Sequence, residues 1–262
     1  MSDGYIKVEK KGHILFIGID RVDKMNAFSV PMYQDLGLAL GRLQQDDDLR
    51  CGVVYAEGDN FTSGLDLMEW GATFGAGSMP ELPKGAVDPF AFDEDNRVMK
   101  PVVMAIQGRC YTIGQEYMLT TDIRVAATDV RFAQLEIKRG IYPVGGGTIR
   151  LLHEIGWGNA MRYLLTGEEI TAQEAYRLGL VQELVEPGKQ LERAVEIAET
   201  IAAQAPLGVY ATLRSARLAR ANAENEAMKH LLPELLKLMG TEDVQEGMMS
   251  FMERRKANFK GK

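Results

Sequence analysis

Three short apolar runs constrain what this chain can fold into: Cys51 to Ala56, Pro101 to Ile106 and Ile123 to Ala126. Each has the length of a buried strand, and each falls far short of the roughly 18–20 apolar residues a membrane span requires. Around them lie segments of other periodicity. Tyr5 to Glu9 alternates with period two and Ile14 to Ile17 follows Lys11-Gly12, which predicts a β-hairpin. Ser29 is placed to cap a helix whose apolar positions, Met32, Leu36, Leu40 and Leu43, keep helical spacing until Asp46-Asp47-Asp48. A short helix is expected from Gly114 to Thr120, between the second and third runs.

After Gly145 the pattern becomes mostly helical. Thr171 opens a capping box with Glu174, and Leu180 to Val185 reads as one more strand. Helices are expected over Leu191 to Ala203, Leu207 to Ala221, Met228 to Leu238 and Asp243 to Lys256. Strands alternating with helices, then a helical tail, predict an α/β fold: a core over 1–200 and a C-terminal helical subdomain over 201–262. The stretch from Gly71 to Lys100, rich in Gly, Pro and scattered aromatics such as Phe74, Phe90 and Phe92, reads as a long irregular loop.

Charge and composition exclude several function classes. With 46% hydrophobic and 26% charged residues over 262 positions, the chain is globular and large enough to need no staple. A net charge of −7, offset by no basic stretch before the last ten residues, removes the electrostatic footprint of a nucleic-acid binder. Cys51 and Cys110 sit in or beside apolar runs and read as buried, reduced thiols. His13, His153 and His230 fall on separate elements, so no metal site is expected. The N-terminus lacks a signal-peptide pattern, and the reading is a soluble, cytoplasmic protein with no membrane or nucleic-acid partner. There is no GxGxxG, no Walker loop and no GxSxG. Any catalysis must come from carboxylates and backbone amides.

Three segments could supply those groups. Phe61 to Leu67 places Gly64 before an expected helix start, which frees the amide of Leu65. Gly108 to Glu116 follows a strand and opens the next helix, freeing the amide of Ile113 and presenting Glu116. Arg131 to Glu136 brings a second carboxylate, and Phe132, Leu135 and Ile137 could bury it. Taken singly, each is equally a turn glycine or a solvated glutamate. Gly145-Gly146-Gly147 could cradle an anion or simply make a tight turn. Together, two amides and two carboxylates are the parts of an oxyanion hole with an acid/base pair.

In this order the segments resemble the crotonase superfamily, the enoyl-CoA hydratase/isomerase family. The family's F-x-A-G-x-D-L pattern stands here as Phe61 to Leu67, its glycine-rich segment before the first glutamate as Gly108 to Asp122, and F-x-x-P-E-x-x-x-G as Phe132 to Gly140. The likeness continues through Pro143 to Thr148, Leu165-Thr166-Gly167, Ala172 to Ala175 and Leu178 to Val181, and ends on Glu246 to Lys260. It implies a ββα spiral core, a C-terminal helical subdomain that mediates trimers, and a homotrimer or homohexamer. It implies a lyase that adds water to a 2-enoyl-CoA, with coenzyme A as part of the substrate and no separate cofactor. The amides of Leu65 and Ile113 would hold the thioester oxygen, Glu116 would activate water, and Glu136 would protonate the α-carbon. Leu65, Asp66, Leu67, Met68 and Ile113 would lie along the CoA and acyl site, with Lys24 and Ala27 beside it. Phe251 and Arg254 align with positions that reach a neighbouring subunit's CoA, although Arg254 also reads as an ordinary solvated cation.

Two departures bear on the substrate. Thr112-Ile113-Gly114 replaces the usual glycines, and Leu65 replaces a small residue, so both side chains are expected to reshape the acyl pocket. The segment Arg21 to Ala27 has Val22 where the family has proline. A Δ3/Δ2 enoyl-CoA isomerase, another acyl-CoA lyase or hydrolase of the same fold, and a non-catalytic family member stay open as alternatives.

Overall fold

The computed structural model describes residues 4–75, 79–92, 96–221 and 240–262. Six strands form the main sheet: β1 (Tyr5–Lys11), β2 (Ile14–Asp20), β3 (Cys51–Ala56), β4 (Val102–Ile106), β6 (Ile123–Ala127) and β9 (Glu183–Val185), in the order β1-β2-β3-β4-β6-β9. Only the β1–β2 hairpin is antiparallel; every later pairing is parallel. A second sheet joins β5 (Arg109–Tyr111), β7 (Arg131–Ala133) and β8 (Ile170–Thr171). These three short strands carry no periodicity the sequence could show. Of the run Leu180 to Val185, only Glu183–Val185 is strand; Leu180 and Val181 are buried in the preceding turn.

Parallel strands are covered on both faces, and the alternation along β2 shows how. Leu15, Ile17 and Ile19 face the main core with Met32, Leu36, Leu40 and Leu43 of α1 (Val30–Gln45). Ile14 and Phe16 face the other way, onto an alanine stripe, Ala194, Ala198 and Ala202, of α7 (Gln190–Ala202). Ser29 caps α1 by accepting from the Met32 amide at 3.2 Å. Cys51 and Cys110 are free and buried.

Part of the expected long loop is a helix, α2 (Leu67–Gly75), and the stretch beyond it packs closely against α1. The Val87 amide donates to Gly37 O, and a Cβ on Gly41 would overlap Gly85 O. The remaining helices are α3 (Ile113–Met118), α4 (Gly147–Ile155), α5 (Trp157–Thr166), α6 (Ala172–Arg177), α8 (Pro206–Ala221) and α9 (Glu242–Glu253). Arg217 of α8 pairs with Asp122 at 2.8 Å, which ties the helix to the core. The expected helix from Met228 to Leu238, and His230 with it, lies outside the described residues.

The loops that follow β2, β3 and β4 leave the same end of a parallel sheet: Lys24 and Ala27 follow the first strand, Leu65 to Met68 the second, and the third leads through β5 into α3 with Ile113 and Glu116.

Candidate active site

Backbone register brings the two amide segments together. Thr62 and Cys110 form a parallel bridge, with Thr62 N–H donating to Arg109 O at 2.8 Å and Tyr111 N–H to Thr62 O at 3.1 Å. Leu65 lies three residues beyond the first partner and Ile113 three beyond the second, so both chains reach the same level. Gly64, at φ 120°, allows the contact: a Cβ there would lie 2.6 Å from Thr112 Oγ1. Leu65 is held from its other side by Phe28, whose amide donates to Gly64 O and whose carbonyl accepts from Asp66 N–H. Helix α2 begins at Leu67, two residues later than the spacing suggests, so the Leu65 amide belongs to an extended bridge and not to a helix end. Among the described residues neither the Leu65 nor the Ile113 amide donates a hydrogen bond.

The turn into α3 is strained. Thr112 has φ 47° and ψ −112°, a conformation that favours glycine and is costly for a β-branched residue. Its amide is fixed by Ala133 O at 2.8 Å, and its carbonyl accepts from Glu116 N–H at 3.0 Å. Ile113 is only 3% exposed and packs in the main core, so its side chain turns inward.

Glu116 points from α3 to the start of α4. Gly147 N–H donates to its Oε1 at 3.0 Å, so an internal carboxylate caps α4. A Cβ on Gly145 would overlap Phe90 and sit 2.6 Å from Glu116 Oε2; one on Gly147 would sit 3.1 Å from Glu116 Oε1 and from Gln134 Nε2. The Gly145-Gly146-Gly147 run is a tight turn packed on Phe90 and Glu116, and its Gly147 amide donates to that carboxyl. Glu136 opens a 3-10 turn, Glu136–Arg139. With its carboxamide turned over, Gln134 donates to both Glu136 oxygens at 3.1 Å. Gln134 thus lies between the two glutamates. Phe132 is buried below this turn, whereas Ile137 faces solvent and does not bury Glu136.

Burial lifts both carboxyls. Glu116 is pushed up to about 8, chiefly by desolvation; the Gly147 amide opposes this, and the Glu136 charge adds to it. Glu136 is pushed up to about 7 by desolvation, with its own amide and Arg139 opposing. Both carboxyls are thus lifted out of the usual carboxylate range toward neutral pH.

A different carboxylate sits at the mouth. Asp66 accepts from Arg21 and Lys24, each at 3.0 Å, and from Met68 N–H at 3.3 Å. Burial alone would raise it, but Lys24 and Arg21 hold it below the usual carboxylate range. Arg21 also binds Ala27 O at 3.0 Å, and Asn26 fastens the same loop to Glu57 O and Asn60 O, each at 2.8 Å. Lys24, Ala27, Leu65, Asp66, Leu67 and Met68 are thus one cluster, and Met68, 91% exposed, projects from it.

The C-terminal candidates lie elsewhere. Phe259 O accepts from Arg50 at 2.6 Å, at the opposite end of β3 from the Leu65 loop. In the basic C-terminal run Arg255 pairs with Glu246, and Asp243 accepts from the backbone amides of Lys260 and Gly261. Arg254 ends α9 at φ 54° and is exposed, with no ion pair among the described residues. The side chain of Phe251 lies outside the described residues. Among those described, no group of His, Cys, Asp and Glu could hold a metal ion, and no helix is long and apolar enough to cross a membrane. Sequence reasoning missed Gln134 and the contact of Gly145 and Gly147 with Glu116; the glycine run was the only visible signal.

Two unbonded amides and two raised carboxyls on an α/β scaffold are the parts that an oxyanion hole with an acid/base pair requires. The family model described as enoyl-CoA hydratase/isomerase matches residues 9–262, and the chain belongs to that family. It is similar to enoyl-CoA hydratase EchA19 of Mycobacterium tuberculosis, 35% identical with 97% of this chain and 96% of that protein covered. It is 32% identical to (E)-benzylidenesuccinyl-CoA hydratase of Thauera aromatica, over 98% of this chain and 99% of that one. Among solved structures, a probable enoyl-CoA hydratase/isomerase from Mycobacterium abscessus matches with a TM-score of 0.95 at 44% identity, covering 98% of both chains.

Proposed function

We propose that this protein is an enoyl-CoA hydratase, adding water across the 2,3 double bond of a 2-enoyl-CoA to give the 3-hydroxyacyl-CoA. What supports the reading is that the Leu65 and Ile113 segments lie side by side with both amides unbonded among the described residues, and that two buried carboxyls, Glu116 and Glu136, are lifted toward neutral pH. The thioester oxygen accepts from both amides, which stabilise the enolate; losing one such donor typically costs about 10²–10³ in rate. Burial lifts Glu116 further than Glu136, so the reacting arrangement is the less populated one with the proton on Glu136: Glu116, ionised, takes a proton from water as its oxygen bonds to C3. Glu136, protonated, delivers its proton to C2, so the pair ends with its charge reversed and resets by exchange with solvent. No further cofactor enters this scheme. Lys24, Asp66, Leu67 and Met68 form the rim for CoA, and Phe251 and Arg254 serve a neighbouring subunit's CoA. Exposed Ile141, Tyr142, Ile149, Trp157 and Leu165 supply apolar surface for the homotrimer or homohexamer, in the cytoplasm.

The test is incubation with trans-2-enoyl-CoAs of varied acyl group, following loss of the conjugated absorbance and identifying the product. A 3-hydroxyacyl-CoA is the expected product; its absence with every substrate overturns the reading. Light scattering after size exclusion reads the assembly, and a monomer would overturn that part.

A further inference from the structure

Arg150 joins the Gly145 turn beside Glu116 to the Phe90–Ala91 loop. It sits in the first turn of α4, four residues after Gly146. Its guanidinium donates through one nitrogen to Gly145 O at 3.1 Å and through the other to Ala91 O at 2.8 Å. Both carbonyls matter. Gly145 lies against Glu116 Oε2, and Ala91 follows Phe90, whose ring presses on Gly145 from the other side. Phe90 in turn packs on Tyr33 and on Phe92, at 5.4 Å between ring centroids in each case. A planar fork can hold two carbonyls at a fixed separation; a flexible ammonium cannot.

We infer that Arg150 is a positioning residue for Glu116: its fork clamps the Gly145 turn to the Phe90–Ala91 loop, and its charge faces the Glu116 carboxylate through that turn. This rests on the hydratase reading of the site. The charges around the carboxylate come from several elements. Glu136 opposes its ionisation from the 3-10 turn, with Arg139 behind it, and Arg150 favours ionisation from α4. Asp88, on the loop before Phe90, is engaged by Tyr33 Oη at 2.8 Å and by the Phe90 amide at 2.9 Å. Behind Arg150 lies a cavity of about 450 Å³ whose charged wall includes Arg97, Arg217, Arg220, Asp122 and Glu154. Arg124 and Arg220 pair there with Glu154, and Arg217 with Asp122. Among the described residues, Arg150 is the arginine of this wall that bonds to the Glu116 turn.

Two variants separate clamp from charge. Arg150→Met removes both, and Arg150→Lys keeps the charge without the fork. Hydration of a 2-enoyl-CoA is followed against pH for each. Arg150→Met is expected to lower kcat about 10–100-fold with KM changed little, since small misplacements of a catalytic group have large effects. Its acidic limb should move to higher pH by about half a unit or more, because a cation favouring the ionised carboxylate has gone. Arg150→Lys should lose kcat while its limb stays near that of the wild type. An independent readout is the infrared carbonyl band of protonated Glu116, assigned by its loss in Glu116→Gln and titrated without substrate. That band should persist to higher pH in Arg150→Met. Wild-type kinetics in Arg150→Met, or an unmoved limb and infrared titration there, would overturn the inference. If wild-type protein hydrates nothing, the proposed function fails, and the infrared titration still decides the role of Arg150.

Discussion

Asp66 and Glu116 are two acidic residues on neighbouring loops of one site, and the structure treats them oppositely. Asp66 receives two cations and a helix amide, and is held ionised below the usual carboxylate range. Glu116 receives backbone amides and sits beside another carboxylate, with its nearest cation, Arg150, bonded to carbonyls; desolvation prevails, and it rises to about 8. Direct ion pairing makes a carboxylate a fixed structural charge. Dipoles alone leave one that can still exchange a proton near neutral pH.

The largest test of this contrast is Glu116→Gln, which should lower kcat by about 10²–10⁴ while calorimetry shows saturated acyl-CoA binding changed little. Near-wild-type turnover would remove Glu116 from the chemistry. Glu136→Gln should behave alike. Asp66→Asn should instead act on stability. It leaves Arg21, 3% exposed, with only Glu69 as a charged partner, and urea unfolding should show a loss of about 3 kcal/mol. A smaller effect is expected from Gly145→Ala, whose Cβ must displace Phe90 or Glu116. A fall in kcat of about tenfold, at unchanged CoA affinity, is the predicted result.

The smallest effect is on the pH dependence of Tm, and its sign differs between the two residues. A carboxyl raised on folding contributes most below its unfolded pKa near 4.5, and that contribution is lost as pH rises through about 8. Wild-type Tm should therefore fall across this window, and Glu116→Gln should raise Tm by about a few degrees at pH 8 but little at pH 5. Asp66 runs the other way: its contribution is present above 3.8 and lost as pH falls through its lowered value. A Glu116→Gln profile parallel to wild type would break the comparison.

Much of the candidate site was legible in local order, because each candidate group sits beside a turn or helix start that its own neighbours specify. Gly64 before Leu65, Ile113 before Glu116, and the family pattern through Glu136 lie within short windows. The six-residue run of β3 and the Ser29 cap were equally local. Strands β5, β7 and β8, of two or three residues, exist only because they pair with one another. The inward turn of Ile113 was likewise invisible, since Thr112 takes up a strain that sequence reasoning assigns to glycine.

By itself, the sequence determined which groups were available: amides at particular turns, two glutamates and an α/β alternation. Only the tertiary structure decided which carboxyl is held ionised and which are lifted toward neutral pH. Protonation depends on desolvation and on partners brought from distant positions. Gly147 reaches Glu116 across 31 residues, and Arg21 reaches Asp66 across 45. Those separations close only when the loops at one end of a parallel sheet are laid side by side.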